Sequence, residues 1–461
     1  MGIDATREYR PLRECTSTGS VSYGIVQPGS HVENGVPIIR VNNINDGSLD
    51  VSSPLKVDPH IDEKHRKTRL EGGELLLSLV GTTGQCVVAG EELKGWNVAR
   101  AIAVIKPAQG ISPEWLSICL KSPATQHYLD SRANTTVQKT LNLRDVREIP
   151  IMTVSEPEER YILEWWTTLN DKIELNRRMN ATLEGMAQAL FKSWFVDFDP
   201  VIDNAIKAGN PIPDELAARA EVRRQALADG TANREAAKPF PAAFQETDSM
   251  GWIPEGWETQ ALYDIANFVN GAAYKGADFS GSPEALPVIK IAEIKAGIAA
   301  QTKFTQVNKG DKYRVEDGDI LLSWSGNPDT SIDTFIWTDG PGYLNQHIFN
   351  VRLHDELERY FVYYQLKHLR STFAEIARDK QTTGLGHFTA GDMKRLMVFK
   401  LKSPLLDHFN TAVSSIYLRS YANRLAIKTL TKLRDTLLPK LISGELRIPE
   451  TEQRTEEATH A

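Results

Sequence analysis

The sequence predicts an α+β protein: two similar strand-rich α/β domains separated by two long helices that pair as an antiparallel coiled coil. The text of the first half recurs in the second, and each copy closes on a long 3-4 spaced apolar stretch. Composition agrees, because 461 residues with 41% hydrophobic and 25% charged content suit a globular chain with two cores.

The repeat sets the organisation. "VPIIRVNNINDG" starts at Val36 and "LPVIKIAEIKAG" at Leu286, 250 positions later. "EGGELLLS" (71–78) matches "EDGDILLS" (316–323), and Gly81 then falls on Gly326. Thr135, Thr136 and Asp145 fall on Thr382, Thr383 and Asp392, at an offset of 247. A drifting offset is what loop insertions in one ancestral unit produce. Within each copy, short apolar runs bounded by Gly, Pro, Asn or Asp read as strands. "PIIRVNNI" and "PVIKIAEI" each read as one of them.

Each copy ends in a helix. Trp166, Leu169, Ile173, Asn176, Asn180, Leu183, Ala187, Leu190 and Trp194 alternate by three and four. The matching seam runs through Val413, Ile416, Ser420, Asn423, Ile427, Leu430, Arg434, Leu437 and Leu441. Such a seam is that of a coiled coil, and polar residues in mid-seam fix register at a cost in stability. The predicted divisions are a domain over 1–156, a helix over 157–201, a linker with one short helix over 202–250, a domain over 251–403, a helix over 404–448 and a disordered tail over 449–461.

Several functions are disfavoured. No Walker A loop, GxGxxG, GxSxG or HExxH occurs, and the nearest approach to an Asn-Pro-Pro-aromatic methyltransferase motif is Asn327-Pro328-Asp329. His60 and His65 read as solvated loop histidines, so no metal is expected. Cys15, Cys86 and Cys119 form no CxxC pair and suit the cytoplasm. No apolar run of about 18 residues is present, so no membrane span is expected. The net charge of −7 counts against an isolated DNA-binding domain, although Arg424, Lys428 and Lys432 make the second helix locally basic. Two heads and a rod without chemistry of their own read as a recognition device.

Three stretches carry a resemblance. "LFKSWFVDFDPV" (190–201), "GWIPEGWE" (251–258) and "LRDTLLPKLISGELRI" (433–448) strongly resemble segments of the specificity subunits of Type I restriction-modification systems. The likeness covers nearly the whole chain. It implies that each domain is a target-recognition domain reading one half of a bipartite, asymmetric site in double-stranded DNA, and that the helices set the half-site separation. It implies two methyltransferase subunits docked on the spacer, holding S-adenosylmethionine, and restriction subunits using ATP and Mg. The chain itself is then non-catalytic, binds no cofactor, and works in a bacterial or archaeal cytoplasm. The rivals are the recognition part of a split single-chain restriction-modification enzyme and a coiled-coil adaptor for protein partners.

Base reading needs amide, hydroxyl, imidazole or cationic side chains on loops. The first matched place holds Ser78, Thr82, Thr83 and Gln85, with Ser323, Ser325 and Asn327 in the second copy. The second holds Asn97 and Arg100, opposite Asn345, Gln346 and His347. The third holds Thr135, Thr136, Gln138, Lys139 and Asn142, opposite Thr382, Thr383 and His387. The plain alternative for each is a turn that satisfies its own backbone. Trp194, Phe195, Phe198, Lys440 and Leu441, at the helix ends, are candidates for the subunit interface, with core packing and helix termination as the alternatives.

Overall fold

The computed structural model describes residues 8–45, 48–81, 83–132, 134–135, 139–299, 301–381 and 385–446. Two units partition the chain, Met1–Ile173 with Thr429–Ala461 and Glu174–Lys428.

The same sheet is built twice. In the first unit, strands Thr16–Tyr23, Ile102–Pro107, Leu75–Ser78 and Cys86–Val88 lie in that order, all neighbours antiparallel. In the second, Ala266–Asn270, Ile348–Leu353, Ile320–Ser323 and Asp333–Ile336 repeat that order and pairing. "LLLS" and "ILLS" are each one of the two inner strands, fully buried, as an apolar run in a central strand should be. Each domain is closed by an antiparallel pair of strands from near its two ends, Glu8–Pro11 with Pro150–Thr153 and Glu258–Ala261 with Met397–Lys400.

The recurring strand is shorter than its text. The first strand of each stretch is Val36–Ile39 or Leu286–Ile289, and Ile44–Asn45 resumes the extended course only in the first copy. Both then turn at a basic residue whose backbone N–H is captured three residues on. Arg40 donates to Asn43 Oδ1 at 2.9 Å, and Lys290 donates to Glu293 Oε2 at 3.0 Å. A side chain that caps its own turn offers the backbone an alternative to the ladder. Helix Ile291–Ala296 and a 3-10 turn at Val41–Asn43 take the place of the expected strand ends.

The long helices span Glu156–Phe195 and Ser403–Ser443. Within the second unit their contacts advance along one and retreat along the other: Asn180 meets Asn423, Phe191 meets Phe409, and Trp194 meets His408. The pairing there is antiparallel. Within the first unit Arg434 donates to Asn170 Oδ1 at 2.9 Å and lies over the Trp166 ring at 5.3 Å, while Ile162 packs with Leu441 and Ile442. The order is again opposed. Lys428 is held within its unit, by the Thr338 carbonyl at 2.7 Å and Asp339 at 3.2 Å.

The segment 202–250 is more than a linker with one helix. Helices Asp199–Ala208, Ala217–Ala228 and Arg234–Ala237 are present, and Phe244–Thr247 pairs with Gly251–Pro254. Two bidentate ion pairs clamp the first two helices: Arg219 on Asp199 at 2.6 Å and Arg223 on Asp203 at 2.5–2.8 Å. Both carboxylates are buried, a setting in which a planar guanidinium fork suits both oxygens at once.

Two predictions follow from packing. Asp392 is buried at the start of the short helix Ala390–Met393, bonded by Lys380, Arg395 and Thr389. Burial alone pushes its carboxyl up, but Lys380, Thr389 and Arg395 outweigh this and hold it well below the usual range. A depressed folded-state value adds stability above the unfolded value of about 4 that is lost as pH falls through the folded one. Asp392→Asn should cost about 3 kcal/mol at pH 7, and urea unfolding at pH 7 and pH 3 should show the gap from wild type shrinking at the lower pH. In the seam, Asn423 is buried and donates to Asn180 Oδ1 at 3.0 Å. Asn180→Leu and Asn423→Leu should each cost about 1 kcal/mol by orphaning the partner. The double variant should be at least as stable as wild type in the same unfolding cycle.

Candidate nucleic-acid interface

The three candidate places converge in the second domain. Ser325 pairs antiparallel with His387, which joins the first place to the third. Trp324 sits between them. Its backbone N–H donates to the His347 carbonyl at 3.3 Å, and its own carbonyl accepts from Phe388 at 3.1 Å. The indole lies 5.6 Å from the His347 ring and 6.5 Å from the His387 ring. Its N–H donates to Asn270 Oδ1 at 3.0 Å. Gln346 is exposed, with its Nε2 3.2 Å from His347 Nε2. Gly326 makes the turn possible: its φ is +118°, and a Cβ there would lie 2.7 Å from Ser331 Cβ.

The first domain keeps this backbone and changes the side chains. Leu79 donates to the Ala101 carbonyl at 2.8 Å and accepts from Leu141 at 2.9 Å, while Val80 bridges Thr140. Leu79, Val80, Ala101 and Thr140 thus stand where the second domain has Trp324, Ser325, His347 and His387. The swap of leucine for tryptophan is visible once the repeats are aligned, yet Trp324 and Asn270 are not among the residues that reading by type selects.

Several candidates serve the fold instead. Ser78 is wholly buried and its Oγ accepts from the Gln85 N–H at 3.0 Å. Asn97 is wholly buried too. It donates to Asp62 Oδ1 at 2.8 Å and to the His65 carbonyl at 3.2 Å, and accepts from Thr68 at 2.8 Å. Strand register also places Asn97 opposite Tyr343 rather than Asn345, since Ile38 pairs with Asn97 as Val288 pairs with Tyr343. Ser323 and Asn345 are buried beneath the surface. Asn142 caps the helix Leu143–Arg147 by accepting from the Asp145 N–H at 2.9 Å. Asn327 accepts from the Asp329 and Thr330 N–H groups and shapes its own turn. Thr83 and Gln85 are half-buried, whereas Arg100 is exposed. The backbones of Thr135 and Lys139 pair in a hairpin of two short strands. Thr82, Thr136, Gln138, Thr382 and Thr383 lie outside the described residues, as does the tail beyond Leu446.

The aromatic interface candidates are core. Trp194 stacks on His408 at 5.0 Å and meets Phe240 edge-on at 5.2 Å. Phe195 packs on Phe361 at 5.2 Å and Phe409 at 5.1 Å, and Phe198 on Trp257 at 6.0 Å. All three are buried inside the second unit, so they have no face to offer a partner. Leu441 is likewise buried, in the first unit, while Lys440 is half-exposed beside Glu445 at 3.2 Å. Gly444, at φ +76°, ends that helix.

Among the described residues no group of three or more His, Cys, Asp or Glu is placed to hold a metal ion, and no helix is long and apolar enough to cross a membrane. The first and second domains both match known proteins. The specificity subunit of the Type I restriction enzyme HindI of Haemophilus influenzae is 27% identical over 410 residues, covering 82% of this chain and 88% of that one. The MjaIX specificity subunit of Methanocaldococcus jannaschii is 22% identical over 388 residues, covering 82% and 78%. The EcoBI specificity subunit of Escherichia coli is 34% identical over 140 residues, covering 30% and 29%. The profile of the Type I restriction modification DNA specificity domain matches twice, over residues 30–185 and 254–408, and by that double match the chain belongs to this family, with two tandem specificity domains.

Proposed function

We propose that this chain is the DNA-reading subunit of a Type I restriction-modification complex, in which each domain reads one half of a split, asymmetric site. The observation that carries this reading is one sheet built twice with different side chains at the same junction. Two sheets of the same order with divergent side chains suit two different half-sites.

The long helices set the half-site separation and offer the docking surface for two methyltransferase subunits. Those partners hold S-adenosylmethionine and take the target base out of the stack, because chemistry on a base needs it extruded. Restriction subunits add cleavage driven by ATP with Mg. This chain contributes selectivity and no bond-breaking step. Its net charge of −7 fits a reader whose partners supply much of the phosphate contact. Such a complex works in the cytoplasm.

Methylome sequencing of a host with and without the chain, beside its methyltransferase subunit, tests this. A split methylated motif should appear only with the chain. Exchanging residues 1–156 for another subunit's first domain should rewrite one half and leave the other. A complex that forms yet methylates no split site contradicts the reading.

A further inference from the structure

Building on that reading, we propose that Arg100 and Gln346 occupy one specificity-determining position in the two domains, with Arg100 reading guanine in one half-site and Gln346 reading adenine in the other.

The equivalence rests on backbone geometry. Ala99 donates to the Ile39 carbonyl at 2.8 Å, and Asn345 donates to the Ile289 carbonyl at 2.9 Å. Ile39 pairs with Val98 in parallel register, and Ile289 pairs with Leu344. Two residues beyond Ala99 and Asn345, Leu79 reaches Ala101 and Trp324 reaches His347 by the same N–H to carbonyl bond. Arg100 and Gln346 therefore stand at one site of one scaffold. Both are exposed, and each lies between a buried strand and the junction where the other candidate loops meet.

The chemistry differs in a way that bases distinguish. A guanidinium offers only donors and matches the two acceptors O6 and N7 of guanine. An amide offers a donor and an acceptor and matches N7 and the N6 amino group of adenine. Among the described residues Gln346 has one amide contact, to His347 at 3.2 Å, which leaves a further N–H and its carbonyl for a ligand. The support differs too. His347 is braced by Trp324, whose indole N–H is spent on Asn270. Ala101 and Leu79 give Arg100 no such brace. Arginine brings its own planar fork, whereas a glutamine amide must be oriented by a neighbour. Trp324 is thus a positioning residue for Gln346 and does not itself read.

The test is the methylated motif made by the full chain with its methyltransferase subunit, in Arg100→Gln, Gln346→Arg and Trp324→Leu variants. Each motif half is assigned beforehand by domain exchange. Gln346→Arg should turn one adenine of the second half into guanine, or make that position degenerate, by tenfold or more, with the first half intact. Arg100→Gln should do the reverse in the first half only. Trp324→Leu, which installs the first domain's residue, should blur the Gln346 position alone while thermal melting and assembly with the partner are retained. Both halves unchanged in Arg100→Gln and Gln346→Arg overturns this proposal and leaves the function standing. A wild-type complex that methylates no split site removes the function and this proposal with it.

Discussion

The antiparallel pairing of the two long helices is the constraint on which the rest depends. Each helix supplies a segment to both units, so each domain's core is completed by residues far away in sequence. In the second unit Phe191, Trp194 and Phe195 of one helix meet Phe409 of the other. Pairs of this kind are worth about 0.5–1.5 kcal/mol each beyond burial. Apolar packing alone tolerates slippage along a 3-4 seam. The Asn423–Asn180 bond does not, because any slip buries an amide without a partner. A polar contact therefore chooses the register that apolar contacts merely stabilise.

That division of labour extends into the heads. The framework of buried strands and caps is common to both copies, down to the N–H to carbonyl bonds of the junction. Side chains that bond into it, such as Asn97 and Glu293, are no longer free to touch a ligand. Under the proposed function, selectivity is left to exposed positions beside the junction, such as Arg100 and Gln346. A scaffold so arranged changes specificity without refolding, which is the physical sense in which a duplicated domain acquires a second target. The stretches "SWFVDF" and "GWIPEGW" belong to the framework: Phe195 and Phe198 pack on Trp257.

The duplication, the helical seam and the mixed domains were legible in the sequence because each is a matter of period. The clamp of 199–228 was not, because Asp199–Arg219 and Asp203–Arg223 lie twenty residues apart in a segment poor in apolar text. The split of "VPIIRVNNINDG" into strand and turn depends on one side chain, Asn43, which caps in competition with the ladder. Residue type also could not separate Arg100, which is exposed, from Asn97, whose partners Asp62 and Thr68 are brought in by the fold. The aromatic motif at 194–198 was open to two readings, and burial decides for the core.

Under the proposed function, reading and spacing are separable, the first in the domains and the second in the helices. Inserting seven residues between Ile173 and Glu174, and seven between Lys428 and Thr429, keeps the heptad phase of both helices. It lengthens each by about 10 Å, or roughly three base pairs. The methylated motif of the resulting complex is the measurement to make. Both half-site sequences should persist with a longer gap between them. An altered half-site at an unchanged gap would contradict the account.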